Sequence, residues 1–351
     1  MINYLLVLLA FLIYAWILCT KEDENVFVKR VLNKLQLFFN SVYFMVLSKD
    51  NKGIGPKKNP DPDLIKDKIN TTKRIVFIRH GESDWNNVFN KGINISFIFR
   101  LVKALYAECR MLSTDGSSFI DSPLNQEGIE QAVELSKWLK NESDGIKDSD
   151  PNYHEIMSLA GKISDGSSII VSSCLRRSIA TTTLALWPRL AKTGEKVHIL
   201  SSLQEISRNV DTYAISTPHT VADLPFDRLT PHCQGKDGTP FDPLQVYEAS
   251  QNFGTKRLDF YGIKRLRAFG DWAMQQSEDL IIVGGHSLWF KCFFQTFLPH
   301  GVDHDAKKKK ITNSGAVAFT LQVAKNEQDG TSQYRIDPAS LRTVYGGYTA
   351  K

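Results

Sequence analysis

From Lys73 onward, short apolar runs of strand length alternate with longer stretches of helical period or helix-favouring composition. Strands that alternate with helices in this way usually pair in parallel, and the helices cover both faces of the sheet. We therefore expect an α/β domain over residues 73–325, a three-layer α/β/α sandwich with a mostly parallel central sheet, and a C-terminal tail at 326–351. The expected strands are Arg74–Ile78, Ser168–Val171, Val197–Leu200, Leu280–Val283 and Ala316–Leu321, and the expected helices are Gln126–Asn141, Arg177–Leu190, Lys256–Gln276 and Leu288–Leu298.

A charged or titratable side chain follows each of the first four expected strands within six residues: Arg79 and His80, then Arg177, Glu205 and His286. Open α/β sheets bind ligands at the carboxyl ends of their strands, so we expect these groups in one crevice. Guanidinium groups can surround a tetrahedral dianion, and an imidazole can attack phosphorus as a nucleophile. A carboxyl group can protonate the leaving oxygen and then accept a proton from water. The set therefore predicts phosphoryl transfer.

The same residues lie within a series of motifs. Residues 79–86, RHGESDWN, resemble the RHG-x-[ST]-x-x-N signature of the histidine phosphatase superfamily, whose fold is that of phosphoglycerate mutase. The segment 122–132 resembles its P-L-[TS]-x-x-G-x-x-Q-A stretch, 173–178 its S-P-L-x-R-A stretch, and 203–205 its L-x-E. Residues 284–287, GGHS, are similar to the segment with the second histidine, where branch 2 usually has His-Asp. The resemblance is therefore to branch 1.

This resemblance implies a phosphomonoester hydrolase without metal or other cofactor, in which His80 is the nucleophile and Glu205 the proton donor. It places the phosphate-binding arginine at Arg177 rather than Arg176. The side chains implied to bind the phosphorylated substrate are Arg79, Ser83, Asn86, Arg177, His286 and Ser287.

Two long segments depart from the family pattern, Val88–Ile120 and Ile206–Thr255. Segments of this kind on an α/β scaffold are lids, specificity loops or surface excursions. They leave the substrate open between a small molecule and a phosphoprotein. Two other functions also stay open: a mutase that passes the phosphoryl group to another hydroxyl, and a catalytically silent module that binds a phosphorylated partner.

Composition excludes other classes of protein. The 43 basic and 38 acidic side chains give a net charge of +5, which is too small and too scattered for a nucleic-acid-binding surface. The five cysteines lie far apart with no Cys-x-x-Cys pair, which argues against a disulfide scaffold and a structural zinc site.

The first twenty residues indicate a membrane. Ile2–Cys19 has 18 residues with one polar side chain and no charge, just enough for a helix to cross about 30 Å of hydrocarbon. A signal peptide is the alternative, but no basic side chain precedes the apolar run and no small-residue cleavage site follows it. We expect a single-pass transmembrane anchor at 1–20.

Residues 21–72 are expected to form a juxtamembrane amphipathic helix and a linker. Val26–Leu47 has helical period, and we expect its basic face, with Lys29, Arg30 and Lys34, to lie toward lipid headgroups. Packing on the catalytic domain and a second membrane span are the alternatives. The cations after the apolar run favour a cytosolic catalytic domain, whereas three N-x-[ST] triplets, at residues 70, 94 and 141, would fit a lumenal one. Ser48–Thr72 has the composition of a tether.

Overall fold

The computed structural model describes residues 24–55, 57–112, 114–163, 168–233, 242–325 and 331–349. These ranges contain ten strands, which are β1 (Thr71–Arg79), β2 (Ser168–Ser173), β3 (Val197–Leu200), β4 (Tyr247–Glu248), β5 (Leu280–Gly285), β6 (Lys310–Ile311), β7 (Ala316–Lys325), β8 (Ser332–Ile336), β9 (Arg342–Tyr345) and β10 (Tyr348–Thr349). The main sheet has the order β4-β3-β2-β5-β1-β7-β8, and β9 pairs with β7.

The strands from β4 to β1 run parallel, and β7, β8 and β9 are antiparallel to their neighbours. The sheet is therefore mostly parallel, as the sequence predicts, and all five expected strands are present. The helices of the described ranges are α1 (Glu24–Leu47), α2 (Asp84–Phe89), α3 (Ile95–Arg110), α4 (Gln126–Gly145), α5 (Tyr153–Leu159), α6 (Arg176–Thr193), α7 (Phe226–Leu229), α8 (Pro243–Val246), α9 (Gly262–Gln275), α10 (Ser287–Phe297) and α11 (Asp305–Lys308).

Strand alternation divides the core into two halves. Val76 and Ile78 of β1 belong to the apolar cluster that also includes residues of α4 and α6. Ile75 and Phe77 face the other side, into a cluster with α9 and α10. The ring of Phe77 stacks on that of Phe290 at 4.1 Å between centroids. Because successive side chains of a strand point to opposite faces, one buried strand holds helices on both sides of the sheet.

The segment expected to be a tether packs on the domain instead. Asp50 and Ile54 are buried, and a short 3-10 helix at Pro62–Lys68 leads into β1. Residues 331–349 likewise depart from the expected tail, because β8 and β9 extend the central sheet. The polar composition of both segments suggests loops, but a few apolar side chains in each are buried against the domain.

The helix α1 packs through one narrow face. Lys34, expected to face lipid headgroups, is buried, and its ammonium group donates a hydrogen bond to the carbonyl of Met111. Ser41 and Phe44 are buried on the same side, and the ring of Phe44 meets that of Tyr213. The expected orientation of Lys34 is therefore wrong, and the alternative of packing on the domain holds for this face.

Within the described ranges, no helix has both the length and the apolar character needed to cross a bilayer. The anchor expected at 1–20 lies outside these ranges, so it stays a prediction.

Candidate active site

The two histidines leave the sheet side by side. Arg79 ends β1 and His80 follows it, while His286 directly follows β5 and caps the start of α10. β1 and β5 pair in parallel with Arg79 opposite Gly285, and the His80 amide donates to the Gly285 carbonyl at 3.0 Å. The two imidazole centroids are 5.1 Å apart. The sheet itself thus sets the distance between the rings.

Arg177 and Glu205 reach the same edge from the neighbouring strands. Arg177 lies in the first turn of α6, four residues after the end of β2 at Ser173. Glu205 follows β3 through a single 3-10 turn at Ser201–Leu203. Since β3, β2, β5 and β1 are consecutive in the sheet, their carboxyl ends bring together the four segments that the sequence predicts.

His80 is held as a neutral imidazole with one nitrogen available. It is 3% exposed, and its Nδ1 lies 2.6 Å from the Gly81 carbonyl, which accepts hydrogen bonds and cannot donate them. Nδ1 must therefore carry the proton, which leaves a lone pair on Nε2. Burial, followed by the positive charges of Arg177 and Arg79, lowers the pKa of His80 well below its ordinary value. A neutral imidazole is the form that can act as a nucleophile.

A close backbone contact fixes the loop after His80. A Cβ on Gly81 would lie 2.4 Å from the Gly128 carbonyl oxygen, so only glycine fits this position. The Gly81 amide also donates to the Thr181 hydroxyl at 2.9 Å. This loop is therefore locked onto α4 and α6, which supports the orientation of His80.

His286 has one engaged and one unpartnered nitrogen. Its Nε2 lies 2.8 Å from the Ser173 hydroxyl, while Nδ1 is buried with no hydrogen-bond partner. Its pKa is well below the ordinary histidine value, because of burial and then the positive charge of Arg177. A buried polar atom without a partner is uncommon and is satisfied when a ligand supplies one.

Two buried guanidinium groups flank the histidines. Arg79 donates to the Ile311 carbonyl at 2.6 Å, and its Nε has no partner. Arg177 donates to the Asp211 carbonyl at 2.8 Å, and its Nη2 lies 3.2 Å from the Asp211 carboxylate. Burial lowers the pKa of Arg79 to about 10, which leaves it charged at neutral pH. The site thus concentrates positive charge among buried side chains, which favours an anion.

Glu205 caps the N-terminus of α10. It is buried, and its carboxylate accepts hydrogen bonds from the amides of Trp289 at 2.7 Å, Leu288 at 3.3 Å and Ile206 at 2.9 Å. Free amides at a helix N-terminus stabilise a negative charge. They also fix the position of the carboxylate.

A buried ion cluster supports the Glu205 backbone. The Asp50 carboxylate, 1% exposed, accepts from Lys256 at 3.0 Å and from Arg265 at 2.7 Å. Lys256 also donates to the Glu205 carbonyl at 2.6 Å, and Arg265 donates to the same carbonyl at 3.3 Å. Asp50 therefore pairs with both cations that hold the Glu205 backbone, although it lies in the segment expected to be a tether.

The structure adds two titratable groups that the motifs do not contain. Asp211, in the long segment after Glu205, is fully buried against Arg177, and burial raises its pKa to about 6. Lys310 of β6 is near enough for its charge to lower the pKa of His80. Neither lies in a strand-end motif, and their only sequence signal is position within long or lysine-rich segments.

Three further residues were expected to line the pocket, and within the described ranges their side chains have other partners or none of the central groups as a partner. The Ser83 hydroxyl is the N-cap of α2 and accepts from the Asn86 amide at 3.2 Å. The Asn86 carboxamide accepts from Asn90 at 2.8 Å. Ser287 is buried as the first residue of α10. Among the described residues, no hydrogen bond joins these side chains to the five central groups.

The two adjacent arginines have different partners. Arg176 turns away to the carbonyls of Ser117, Ile120 and Asp121, whereas Arg177 turns to the side of the histidines. Arg176 also borders a cavity of about 890 Å³ between α2, α3 and residues 223–228, which none of the five central residues lines. The other cationic side chains that line this cavity are Arg100, Lys103 and Arg228. Among the described residues, no group of three or more His, Cys, Asp or Glu side chains could hold a metal ion.

No family model and no curated protein matches this chain. Solved structures similar to it include a protein described as mycobacterial hydrolase 1, with 15% identity over 80% of this chain and 100% of that chain and a TM-score of 0.35. A mycobacterial glucosyl-3-phosphoglycerate phosphatase in complex with VO3 has 16% identity over 76% and 97%, with a TM-score of 0.34. A phosphoglycerate mutase from Bacillus anthracis has 14% identity over 78% and 94%, with a TM-score of 0.35.

Likenesses of this size carry no argument about chemistry. The chain resembles branch 1 of the histidine phosphatase superfamily, and that resemblance rests on its own motifs and their place at the strand ends.

Proposed function

We propose that this protein hydrolyses phosphomonoesters through a phosphohistidine on Nε2 of His80. The observation that carries the proposal is the 2.6 Å contact between His80 Nδ1 and the Gly81 carbonyl, which assigns the proton to Nδ1 and leaves a lone pair on Nε2, with the His286 ring 5.1 Å away. A neutral, oriented imidazole among cations matches the needs of an attack on a phosphate dianion.

The first step forms the Nε2–phosphorus bond as the bond to the leaving oxygen breaks. Arg79 and Arg177 stabilise the charge on the transferring group, since their guanidinium charges match those of a dianion without a metal ion. The unpartnered Nδ1 of His286 and Nε of Arg79 gain phosphate oxygens as partners. Glu205 donates a proton to the leaving oxygen, and the alcohol departs.

In the second step, water attacks the phosphohistidine while Glu205 accepts its proton. The three amides that hold the Glu205 carboxylate keep it in position for this role. Asp211 is a second candidate for the proton donor, because it contacts Arg177 and burial raises its pKa to about 6, so that it holds a proton under mildly acidic conditions.

The test compares His80→Ala with wild type and with His154→Ala, a change at an exposed histidine of α5. We expect His80→Ala to abolish both turnover of an aryl phosphate and acid-labile labelling, while His154→Ala keeps both. Normal turnover by His80→Ala would end the proposal. Transfer to a second hydroxyl of a phosphoglycerate would identify a mutase, and absence of hydrolysis across phosphomonoesters would identify a binding module.

We also propose that residues 1–20 anchor the protein in a membrane with its catalytic domain in the cytosol. The support is the uncharged run Ile2–Cys19 and the cations Lys21, Lys29 and Arg30 that follow it. The full chain expressed in eukaryotic cells should resist extraction by alkaline carbonate and show no endoglycosidase-sensitive mass at Asn70, Asn94 or Asn141. Sugar on these sites would reverse the orientation, and release by carbonate would remove the anchor.

A further inference from the structure

The helix α3 presents large apolar side chains to solvent along one stripe. Ile95, Phe99 and Tyr106 are 79%, 72% and 64% exposed. The stripe has helical spacing and is made up of Ile95, Ile98, Phe99, Val102, Leu105, Tyr106 and Cys109. Exposed apolar side chains in one contiguous row mark an interaction surface far more often than isolated ones do.

The opposite face of α3 is turned toward the domain. Ala104 is buried there, Phe97, Leu101 and Ala107 are half-buried, and Arg100 lines the 890 Å³ cavity beside it. A helix on the surface of a globular domain normally turns its apolar face inward. In α3 the inner face already meets this rule, so core packing does not account for the second, outward apolar stripe.

A second helix does the same nearby. α1 exposes Leu32, Leu35, Phe39, Tyr43 and Val46, which share one face at helical spacing. The two helices are in contact. The Lys34 ammonium group of α1 donates a hydrogen bond to the Met111 carbonyl at the end of α3, and it lies 3.9 Å from the Glu108 carboxylate. Two adjoining helices therefore both leave their apolar faces uncovered.

We propose that the α3 stripe, together with the exposed face of α1, inserts into the headgroup and acyl-chain boundary of a lipid bilayer. The argument for lipid is continuity, since α1 begins five residues after the uncharged run ends at Cys19. Lys34, which touches the end of α3, lies ten residues after the start of α1 at Glu24, or about 15 Å along the helix. If that run is in a bilayer, the stripe lies within reach of the same leaflet.

The positive charges beside the stripe also favour a lipid bilayer as its partner. Lys103 and Arg110 flank the stripe on α3, and Lys29 lies beside the exposed face of α1, with all three side chains exposed. Cations next to an inserted apolar face contact anionic headgroups favourably. A two-fold contact with a second copy of this chain would instead bring these like charges together. The inference rests on the proposed anchor for proximity and is independent of the chemistry at His80.

The test places a fluorescent probe on the stripe itself. In the full chain with Cys19→Ser and Cys292→Ser, Cys109 is the exposed thiol, since Cys174 and Cys233 are buried. The chain labelled with bimane at Cys109 is incorporated into phosphatidylcholine–phosphatidylserine vesicles, with and without brominated acyl chains. We expect bromine to lower its fluorescence about twofold, as for a probe inserted ~5–10 Å into the boundary.

The matched control carries Cys109→Ser and Ser149→Cys, which puts the probe on an exposed loop after α4, and should show no quenching. Phe99→Glu with Val102→Glu should remove the quenching at Cys109 while leaving hydrolysis of a soluble aryl phosphate unchanged.

Three results would overturn the proposal. An unquenched Cys109 probe on a chain that still sediments with vesicles would leave the anchor intact and remove the docking surface. A blue-shifted but unquenched probe would mean that residues 2–19 cover the stripe. Crosslinking of two chains through Cys109 would identify a second copy as the occupant.

Discussion

The phosphate site and the paired surfaces of α1 and α3 invert the usual distribution of side chains in opposite directions. The site buries polar and charged groups, with His286 and Arg177 at 0% and 2% exposure. The helices expose apolar groups, with Phe39 and Phe99 at 66% and 72%. Each arrangement costs free energy alone and becomes favourable with a partner, for which we propose an anion in the first region and lipid in the second.

The two regions also differ in how firmly they are built. Backbone contacts fix the site, since Gly81 meets the Gly128 carbonyl and three amides hold Glu205. The α1 helix touches the domain through few side chains, mainly Lys34, Ser41 and Phe44. The site is therefore pre-organised without its ligand, whereas the helix surface gains order from what covers it.

The largest expected effect concerns Asp50, which lies just after α1 in the chain and supports the candidate active site. Asp50→Ala leaves Lys256 and Arg265 buried without their carboxylate, which costs about 3–5 kcal/mol of unfolding free energy for a broken buried pair. Turnover should fall as well, because both cations hold the Glu205 carbonyl. Urea unfolding and aryl phosphate hydrolysis by the full chain measure the two effects.

The control is Asp67→Ala, at an exposed carboxylate of the same segment, which should change the unfolding free energy by less than about 0.5 kcal/mol. Equal stability of Asp50→Ala and Asp67→Ala would show that the segment before β1 is a tether after all.

A second change sharpens the description of the phosphate site. Arg177→Ala should lower kcat/KM for an aryl phosphate by about 10²–10³, the usual loss for one donor to a developing charge. Arg177→Lys keeps the charge but loses the planar fork, so it should recover part of the loss. Arg257→Ala removes an arginine whose side chain is 78% exposed and should be silent. Unchanged hydrolysis by Arg177→Ala would mean that the phosphoryl group binds away from Arg177.

The smallest effect concerns pH. Asp211 has a pKa of about 6 in the folded protein against 3.8 ordinarily, because burial disfavours its charge. Between these values the folded protein holds a proton that the unfolded chain has released, so this group's stabilising contribution is present below pH 4 and is lost as the pH rises through 6.

Asp211→Asn should therefore flatten the fall in unfolding free energy between about pH 4 and 6, by no more than about 3 kcal/mol. Urea titrations at several pH values across this window measure it. An unaltered pH profile in Asp211→Asn would mean that Asp211 is ionised in the folded protein.

The fold and the centre of the site could be predicted because their signals are local. A buried parallel strand is a short apolar run, and His80 or His286 directly follows one. Asp50 and Asp211 could not be found in this way, since their partners Lys256 and Arg177 are distant in sequence and only folding brings them together.

The orientation of the amphipathic helices could not be predicted from the sequence either. Periodicity identifies an apolar face on α1 but does not say whether the domain covers it, and the sequence gives no reason for Lys34 to turn toward Met111. In α3 a second apolar face points outward, which periodicity does not distinguish from the buried one. The strands β8 and β9 were missed because each is short and only partly buried.

One consequence follows from the two sides of α3. Arg100 and Lys103 form part of a cavity wall, and Phe99 and Val102 on the same turns face outward. A ligand of this cavity whose binding shifts α3 would change the protein's affinity for its outer partner, and that partner would then change the ligand's affinity by the same factor.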